Sequence, residues 1–174
     1  MEIRNKKIIL IVAIVVVILI FLMKRSSVDR KAVADKVKAA SFYKTIIQEA
    51  KNYNLPPAKV AAIVAVESGG NPNARGAAGE FGLMQIMPAA HKAVMLQWSK
   101  DGGGILGIKG LGYTHPDSDL MNPEYNILVG CTYLAILKKQ FGGNLDKATE
   151  AYNDGGGYGT DYLTKILEYE PYFS

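Results

Sequence analysis

Disulfides are excluded at the outset, because Cys131 is the only cysteine in 174 residues and one thiol has no partner within the chain. Its expected place is a small buried apolar position in a helix. Histidine is almost as scarce. His91 and His115 are the only two, and no cysteine or paired-carboxylate cluster accompanies either, so a zinc or di-metal site lacks ligands and no metal or cofactor is expected. A strong charge of one sign is missing too. The net charge is +4 with a pI near 9.0, and acids and bases are interspersed after residue 28, too mild an excess for a nucleic-acid partner. No internal repeat is visible, and no stretch alternates in a way that demands a large sheet. Between Asp101 and Pro123 the segment GGGILGIKGLG does not sit between a strand and a helix, which excludes a nucleotide-binding reading. That stretch is longer than most connections in a compact domain, and a functional loop and plain disorder both stay open for it.

What the chain does have is one long apolar run. Ile8 to Met23 (IILIVAIVVVILIFLM) contains no charge, Gly or Pro. It supplies about 16 residues, or about 24 Å of helix, slightly short of a bilayer's hydrocarbon core. Lys6, Lys7, Lys24 and Arg25 can snorkel and make up the missing length. With Arg4, Arg30 and Lys31 they form a basic fringe suited to anionic headgroups. The following residues, Met-Lys-Arg-Ser-Ser-Val, lack the small-x-small site of a cleaved signal peptide. The expectation is an uncleaved single-pass anchor over 1–27, with a lipid bilayer as the partner of residues 8–23. Positive charge flanks both ends, so charge alone does not orient it.

The rest reads as helix. Residues 24 to 40 carry Val28, Val33, Val37 and Ala40 at helical spacing, which predicts a juxtamembrane helix or stalk over 28–41. Ile46, Ile47, Ala50 and Tyr53 continue the pattern until Asn54-Leu55-Pro56-Pro57 interrupts it. Pro56 or Pro57 is placed to start the next helix, AKVAAIVAVE, which Ser68-Gly69-Gly70 stops. Further helices are predicted over Pro88–Trp98, Ile127–Phe141, Leu145–Tyr152 and Gly159–Tyr169, giving one mainly helical domain over 42–174.

Within AKVAAIVAVE, Val60, Ile63, Val64 and Glu67 follow i, i+3, i+4 and i+7, which puts a carboxylate on an apolar stripe at the helix C-terminus. Burial and the negative end of the helix dipole both penalise its ionised form, so its pKa is predicted to rise. Spacing alone leaves open a frayed end at Ser68-Gly69, with Glu67 reaching water.

Three ordered segments bear on that choice: AVESGGNPNARGAAGEFGLMQIMPAA, NPEYNILVGCTYL and AYNDGG. Together they make residues 42 to 162 resemble the soluble lytic transglycosylase family, in which Glu-Ser opens the first motif, Gly-Leu-Met-Gln with Met-Pro forms the second, and Ala-Tyr-Asn the third. The resemblance implies an α+β lysozyme-like domain, mostly helical with a small β element, whose catalytic glutamate, here Glu67, lies in a glycan-binding groove. It implies peptidoglycan glycan strands as substrate. One carboxylate then suffices, because the muramic acid C6 hydroxyl attacks intramolecularly: Glu67 protonates the glycosidic oxygen, then takes the hydroxyl proton as the 1,6-anhydro ring closes. On the same basis Ser68 joins the substrate-binding set, Gln85 binds the acetamido group and Met84 forms a soft wall against a sugar face. Tyr152 bonds the catalytic carboxyl, Asn153 contacts sugar or holds its loop, and Tyr162 matches a further family tyrosine. The sequence departs from the family pattern at Gly76 (commonly Ser), at Gly79-Glu80 (Gly-Ala) and at Asn153-Asp154-Gly155 (Asn-Ala-Gly). Glu80, Asp101 and Asp154 are loop acids that could approach Glu67. The alternatives are a goose-type lysozyme-like hydrolase, which would use Glu80 or a loop aspartate to position water, and a catalytically idle glycan-binding membrane-assembly protein. A wall substrate places the domain on the periplasmic or outer face of a membrane, or in the membrane of a phage virion.

Overall fold

The computed structural model describes residues 2–100, 115–154 and 160–174, with the backbone alone at 2–11, 13, 14, 21, 25, 154 and 160. The chain runs through α1 (Glu2–Ala39), α2 (Tyr43–Asn52), α3 (Pro57–Ser68), α4 (Pro88–Lys100), a 3₁₀ turn (Asp117–Met121), α5 (Pro123–Gln140), α6 (Leu145–Asp154), α7 (Thr160–Tyr169) and a final 3₁₀ turn (Glu170–Tyr172). The expected small β element is reduced, among the described residues, to two isolated antiparallel bridges, Arg75 with Phe81 and Phe81 with Ile86. The segment is too glycine-rich and too tightly turned to extend a ladder. Of the predicted loop between Asp101 and Pro123, the stretch 101–114 lies outside the described residues.

At the N-terminus α1 is one continuous helix, and its last turns belong to the globular core, since Ala34 and Val37 are fully buried. The stretch expected as a stalk thus contributes core side chains. Among the described residues no helix is long and apolar enough to cross a membrane. The run 8–23 that carried the expectation of an anchor offers about 24 Å against about 30 Å of hydrocarbon, and its side chains at 8–11, 13, 14 and 21 lie outside the described residues.

The central element is α3. It packs against α1, α2, α7 and the Glu170–Tyr172 turn, and residues 59 to 65 are all buried. A helix enclosed on every side must be apolar all round, and the alanines at 61, 62 and 65 let its neighbours approach closely. Pro57 occupies the first turn, where no donor is needed. Gly69, left-handed at φ 59, ends the helix. Lys59 is buried on α3 with its ammonium on Asp146 at 2.7 Å, and Cys131 is buried in α5 with its thiol pushed up by desolvation.

The loop from 70 to 87 is held by one residue of α5. Asn126, fully buried, accepts the Met84 N–H at 2.8 Å and donates to Phe81 O at 2.8 Å and Leu120 O at 2.9 Å. Gly82 makes this clasp possible: it sits at φ 72, and a Cβ there would lie 2.5 Å from Asn126 Nδ2. Asn122 caps α5 through Tyr125 N at 2.9 Å. Replacing Asn126 by Leu strands the buried Met84 N–H and the Leu120 carbonyl, while Phe81 O keeps the Ile86 N–H, so the expected loss of stability is about 3 kcal/mol. Removing the Asn122 cap by Ala costs about 1 kcal/mol. Equilibrium denaturation of both variants checks the ranking.

Candidate active site

Glu67 stands in the last turn of α3. Desolvation by the core pushes its carboxyl from an ordinary 4.5 up to about 7; the Tyr162 hydroxyl pulls it back and the Glu80 charge adds to the rise. Tyr162, on α7, donates to Glu67 Oε1 at 2.5 Å. The phenol's own ionisation is pushed well up by burial and by the Glu67 charge, so it remains a donor. A carboxyl that titrates near neutrality can both give and recover a proton.

Tyr152, on α6, donates to Met84 O at 2.9 Å, which corrects the expectation that it bonds the acid. The two tyrosines divide the work: the buried Met84 carbonyl needs a donor and takes the phenol of Tyr152, leaving Glu67 to Tyr162. Tyr152 still feels the Glu67 charge, which after burial is the next largest influence raising its ionisation. Met84 is corrected as well. Its side chain is fully enclosed, lying where any Cβ on Gly130 of α5 would collide with it, so it presents no wall to a sugar. Its contribution passes through its backbone, tied to Asn126 and Tyr152.

Gln85 is half-buried in the left-handed region at φ 45, a conformation costing a non-glycine residue about 1 kcal/mol or more. Its amide nitrogen donates to Gly82 O at 2.8 Å, and its oxygen points toward Gly76. Ser68 donates its hydroxyl to Val64 O at 3.1 Å within the helix. Asn153 is exposed at the end of α6, on the wall of a cleft of about 300 Å³ that Ile86, Met87, Ala90, Tyr133 and Tyr152 also line. The Tyr133 ring lies 5.6 Å from that of Tyr152. Such an aliphatic and aromatic wall with a few polar groups suits the face of a sugar ring.

The structure therefore pairs Glu67 with Tyr162, sets Tyr152 and Asn153 along a cleft, and turns the Ser68 hydroxyl and the Met84 side chain inward. Asp101 and the side chain of Asp154 lie outside the described residues. Asn126 and Tyr133 were not singled out from the sequence. A signal for Asn126 existed: residues 126, 130, 134 and 137 share the buried face of α5, so an asparagine there is as conspicuous as a glutamate on α3. Among the described residues no group of three or more His, Cys, Asp or Glu could hold a metal ion. His91 spends its ring nitrogens on Asp117 at 2.8 Å and Tyr125 at 2.9 Å, and His115 bonds Asp119 at 2.7 Å.

Comparison with known proteins adds the following. The transglycosylase SLT domain family matches residues 44–166. Over 143 residues, 78% of this chain, there is 30% identity to the membrane-bound lytic murein transglycosylase C of Actinobacillus pleuropneumoniae serotype 5b (strain L20), of which 35% is covered. The soluble lytic murein transglycosylase of Escherichia coli (strain K12) is 35% identical over 103 residues, 59% of this chain and 14% of that protein. The chain thus spans about a third or less of the length of these relatives. Among solved structures, the inactive mutant of the lytic transglycosylase Slt from Pseudomonas aeruginosa is similar at 27% identity and a TM-score of 0.56, covering 77% of this chain and 22% of that one. The fold is shared with the 70-kDa soluble lytic transglycosylase in complex with bulgecin A, at 24% identity and a TM-score of 0.63, over 79% of this chain and 25% of that one. With the match running from α2 into α7 and enclosing Glu67, the loop and both tyrosines, the chain belongs to the transglycosylase SLT domain family.

Proposed function

We propose that this protein is a peptidoglycan lytic transglycosylase, cleaving the β-1,4 bond between N-acetylmuramic acid and N-acetylglucosamine with formation of 1,6-anhydromuramoyl ends. The observation that carries the reading is the Glu67 carboxyl, desolvated to about 7 and met by one phenol. Glu67 protonates the glycosidic oxygen as the bond to the muramic anomeric carbon breaks. Its carboxylate then removes the proton from that sugar's own C6 hydroxyl, whose oxygen closes on the anomeric carbon, and the acid is regenerated. Gln85, Tyr152, Asn153 and the cleft that the latter two line are read as the groups that hold the sugars. Names of relatives support this substrate class. Hydrolysis is the second reading, favoured only by the presence of Glu80 close enough for its charge to reach Glu67, since a second carboxylate can direct water.

We further infer that residues 8–23 meet a lipid bilayer, with the domain on the periplasmic or outer face, where peptidoglycan lies, or carried in a phage virion membrane. Support comes from the uncharged sequence of that run and from its exposed aliphatic side chains, Val15 to Ile20 among them. Envelope remodelling and local wall opening by a secretion machine or an entering phage both suit such an arrangement.

Digestion of purified peptidoglycan by the full chain is expected to release muropeptides one water lighter than lysozyme products. Reducing ends alone would replace the transglycosylase with a hydrolase. The Glu67→Gln variant is expected to lose activity by about 10³-fold, and unchanged lysis would leave only an idle glycan-binding role.

Protonation also governs stability. Below about pH 4.5 folded and unfolded chains both carry the Glu67 proton; as pH rises to about 7 the unfolded chain releases it while the fold retains it. Stability is therefore expected to fall through that window by on the order of 3 kcal/mol. Glu67→Gln should remove this part of the pH dependence, measured by denaturation at pH 4 and pH 8.

Flotation with anionic lipid vesicles is expected to carry the full chain upward and leave residues 28–174 behind. Equal behaviour of the two would remove the bilayer proposal.

A further inference from the structure

Just past the apolar run of α1, a groove of about 520 Å³ opens between α1, α3 and α7. Leu22 lines it together with Ser26, Asp29, Arg30, Lys165 and Glu168, and the proton-transfer scheme uses none of these residues. Its two cations and two acids are unequally engaged. Arg30 Nη1 donates to Ser26 Oγ at 2.6 Å and to Glu168 Oε2 at 3.1 Å. Arg30 Nε is buried without a partner, a state in which folded proteins rarely leave a donor. The edge of the guanidinium that carries Nε and Nη2 is the fork that grips a phosphate through two parallel N–H groups. Lys165 and Asp29 are exposed, and neither has an ion pair or hydrogen bond among the described residues. The height of the groove fits the same chemistry. α1 runs unbroken through this stretch, and at about 1.5 Å per residue Ser26 to Arg30 stand about 5–10 Å beyond Met23. The polar layer flanking a bilayer's hydrocarbon is about 5–8 Å deep on each side.

We propose that this groove seats a zwitterionic lipid headgroup of the phosphoethanolamine class, with Lys165, Ser26 and the Nε edge of Arg30 on the phosphodiester and Asp29 on the ammonium. The inference rests on the proposed contact of residues 8–23 with a bilayer. Binding requires the Arg30 guanidinium to turn its Nε edge outward, because that atom is shielded in the lipid-free chain; the turn also frees the Ser26 hydroxyl to donate. Glu168 remains the counter-charge of Arg30, which leaves one cation, Lys165, and one anion, Asp29, for the two ends of the headgroup. Selectivity follows from that pairing. A purely anionic headgroup offers Asp29 no cation, and a quaternary ammonium offers it charge without an N–H to donate, whereas a primary ammonium forms a charge-assisted hydrogen bond. The groove thus chooses the lipid beside the enzyme, while attachment itself belongs to the apolar run.

The test is native mass spectrometry of the full chain in dodecyl maltoside micelles holding equal amounts of dioleoyl phosphatidylethanolamine, phosphatidylglycerol and phosphatidylcholine. The chain is expected to retain phosphatidylethanolamine over each of the others by about tenfold, a difference of about 1.4 kcal/mol. Lys165→Gln and Asp29→Asn should each bring the three lipids close to parity. Both residues are exposed, so the two variants should keep the unfolding temperature and the peptidoglycan lysis of the unaltered chain, which separates a lost seat from a lost fold. Equal retention of all three lipids by the unaltered chain overturns the proposal, as does a preference for phosphatidylglycerol or a preference that survives both substitutions. Displacement of the retained lipid by an equal concentration of soluble glycerophosphoethanolamine overturns the lipid as the source of the headgroup. Failure of the bilayer reading itself appears separately, as a full chain that does not float with phosphatidylcholine vesicles.

Discussion

One hydrogen bond, from Tyr162 to Glu67, organises this molecule's chemistry. It joins the end of the most enclosed helix, α3, to α7, across 95 positions of sequence. A carboxyl can sit at that depth only if its charge is suppressed or compensated, and a phenol compensates weakly. The burial that raises Glu67 is supplied by α1, α2, α7 and the final turn packing around α3. The core and the acid are therefore the same construction: the apolar surface that stabilises α3 is what desolvates its last carboxylate.

The second constraint is the loop from 70 to 87, which has little secondary structure and yet must hold Gln85 and Glu80 in place. Asn126 fixes it from α5 with two bonds, to Met84 N and Phe81 O, and Tyr152 fixes it from α6 through Met84 O. Both contacts reach backbone groups, so they define a path for the chain and are indifferent to the side chains displayed on it. Gln85 can then be kept in a left-handed conformation that its own preferences oppose.

Periodicity and punctuation made the helices legible. Pro57 and Gly69 bound α3 where the sequence placed them, and the i, i+3, i+4, i+7 pattern put Glu67 on the apolar stripe while leaving open whether the helix end frays and lets it reach water. Family membership was legible from the ordered motifs. What could not be read was the pairing of tyrosines, because Tyr152 and Tyr162 are ten positions apart on different helices and only tertiary geometry decides which phenol finds the carboxyl. Met84 misled for a related reason: a motif methionine reads as a contact residue until Gly130, 46 positions later, is seen to open a slot for it in the core. The bridges at Phe81 fell short of a β element because the glycine-rich segment turns too tightly to extend a ladder.

The choice of partner for Glu67 is itself informative. At the other end of α3 the buried Lys59 is satisfied by a carboxylate, Asp146, at 2.7 Å, the ordinary solution for an ion inside a fold. Had Glu67 been given a lysine or arginine, the same solution would have held its carboxyl ionised and well below neutrality, leaving no proton to donate. A tyrosine hydroxyl orients the carboxyl without supplying a charge, so desolvation outweighs the hydrogen bond and the group rises to about 7. The helix thus carries two desolvated ionisable residues, Lys59 buried and Glu67 half-buried, resolved in opposite ways, one neutralised for stability and one left uncompensated. The uncompensated one is the group whose proton is free to move.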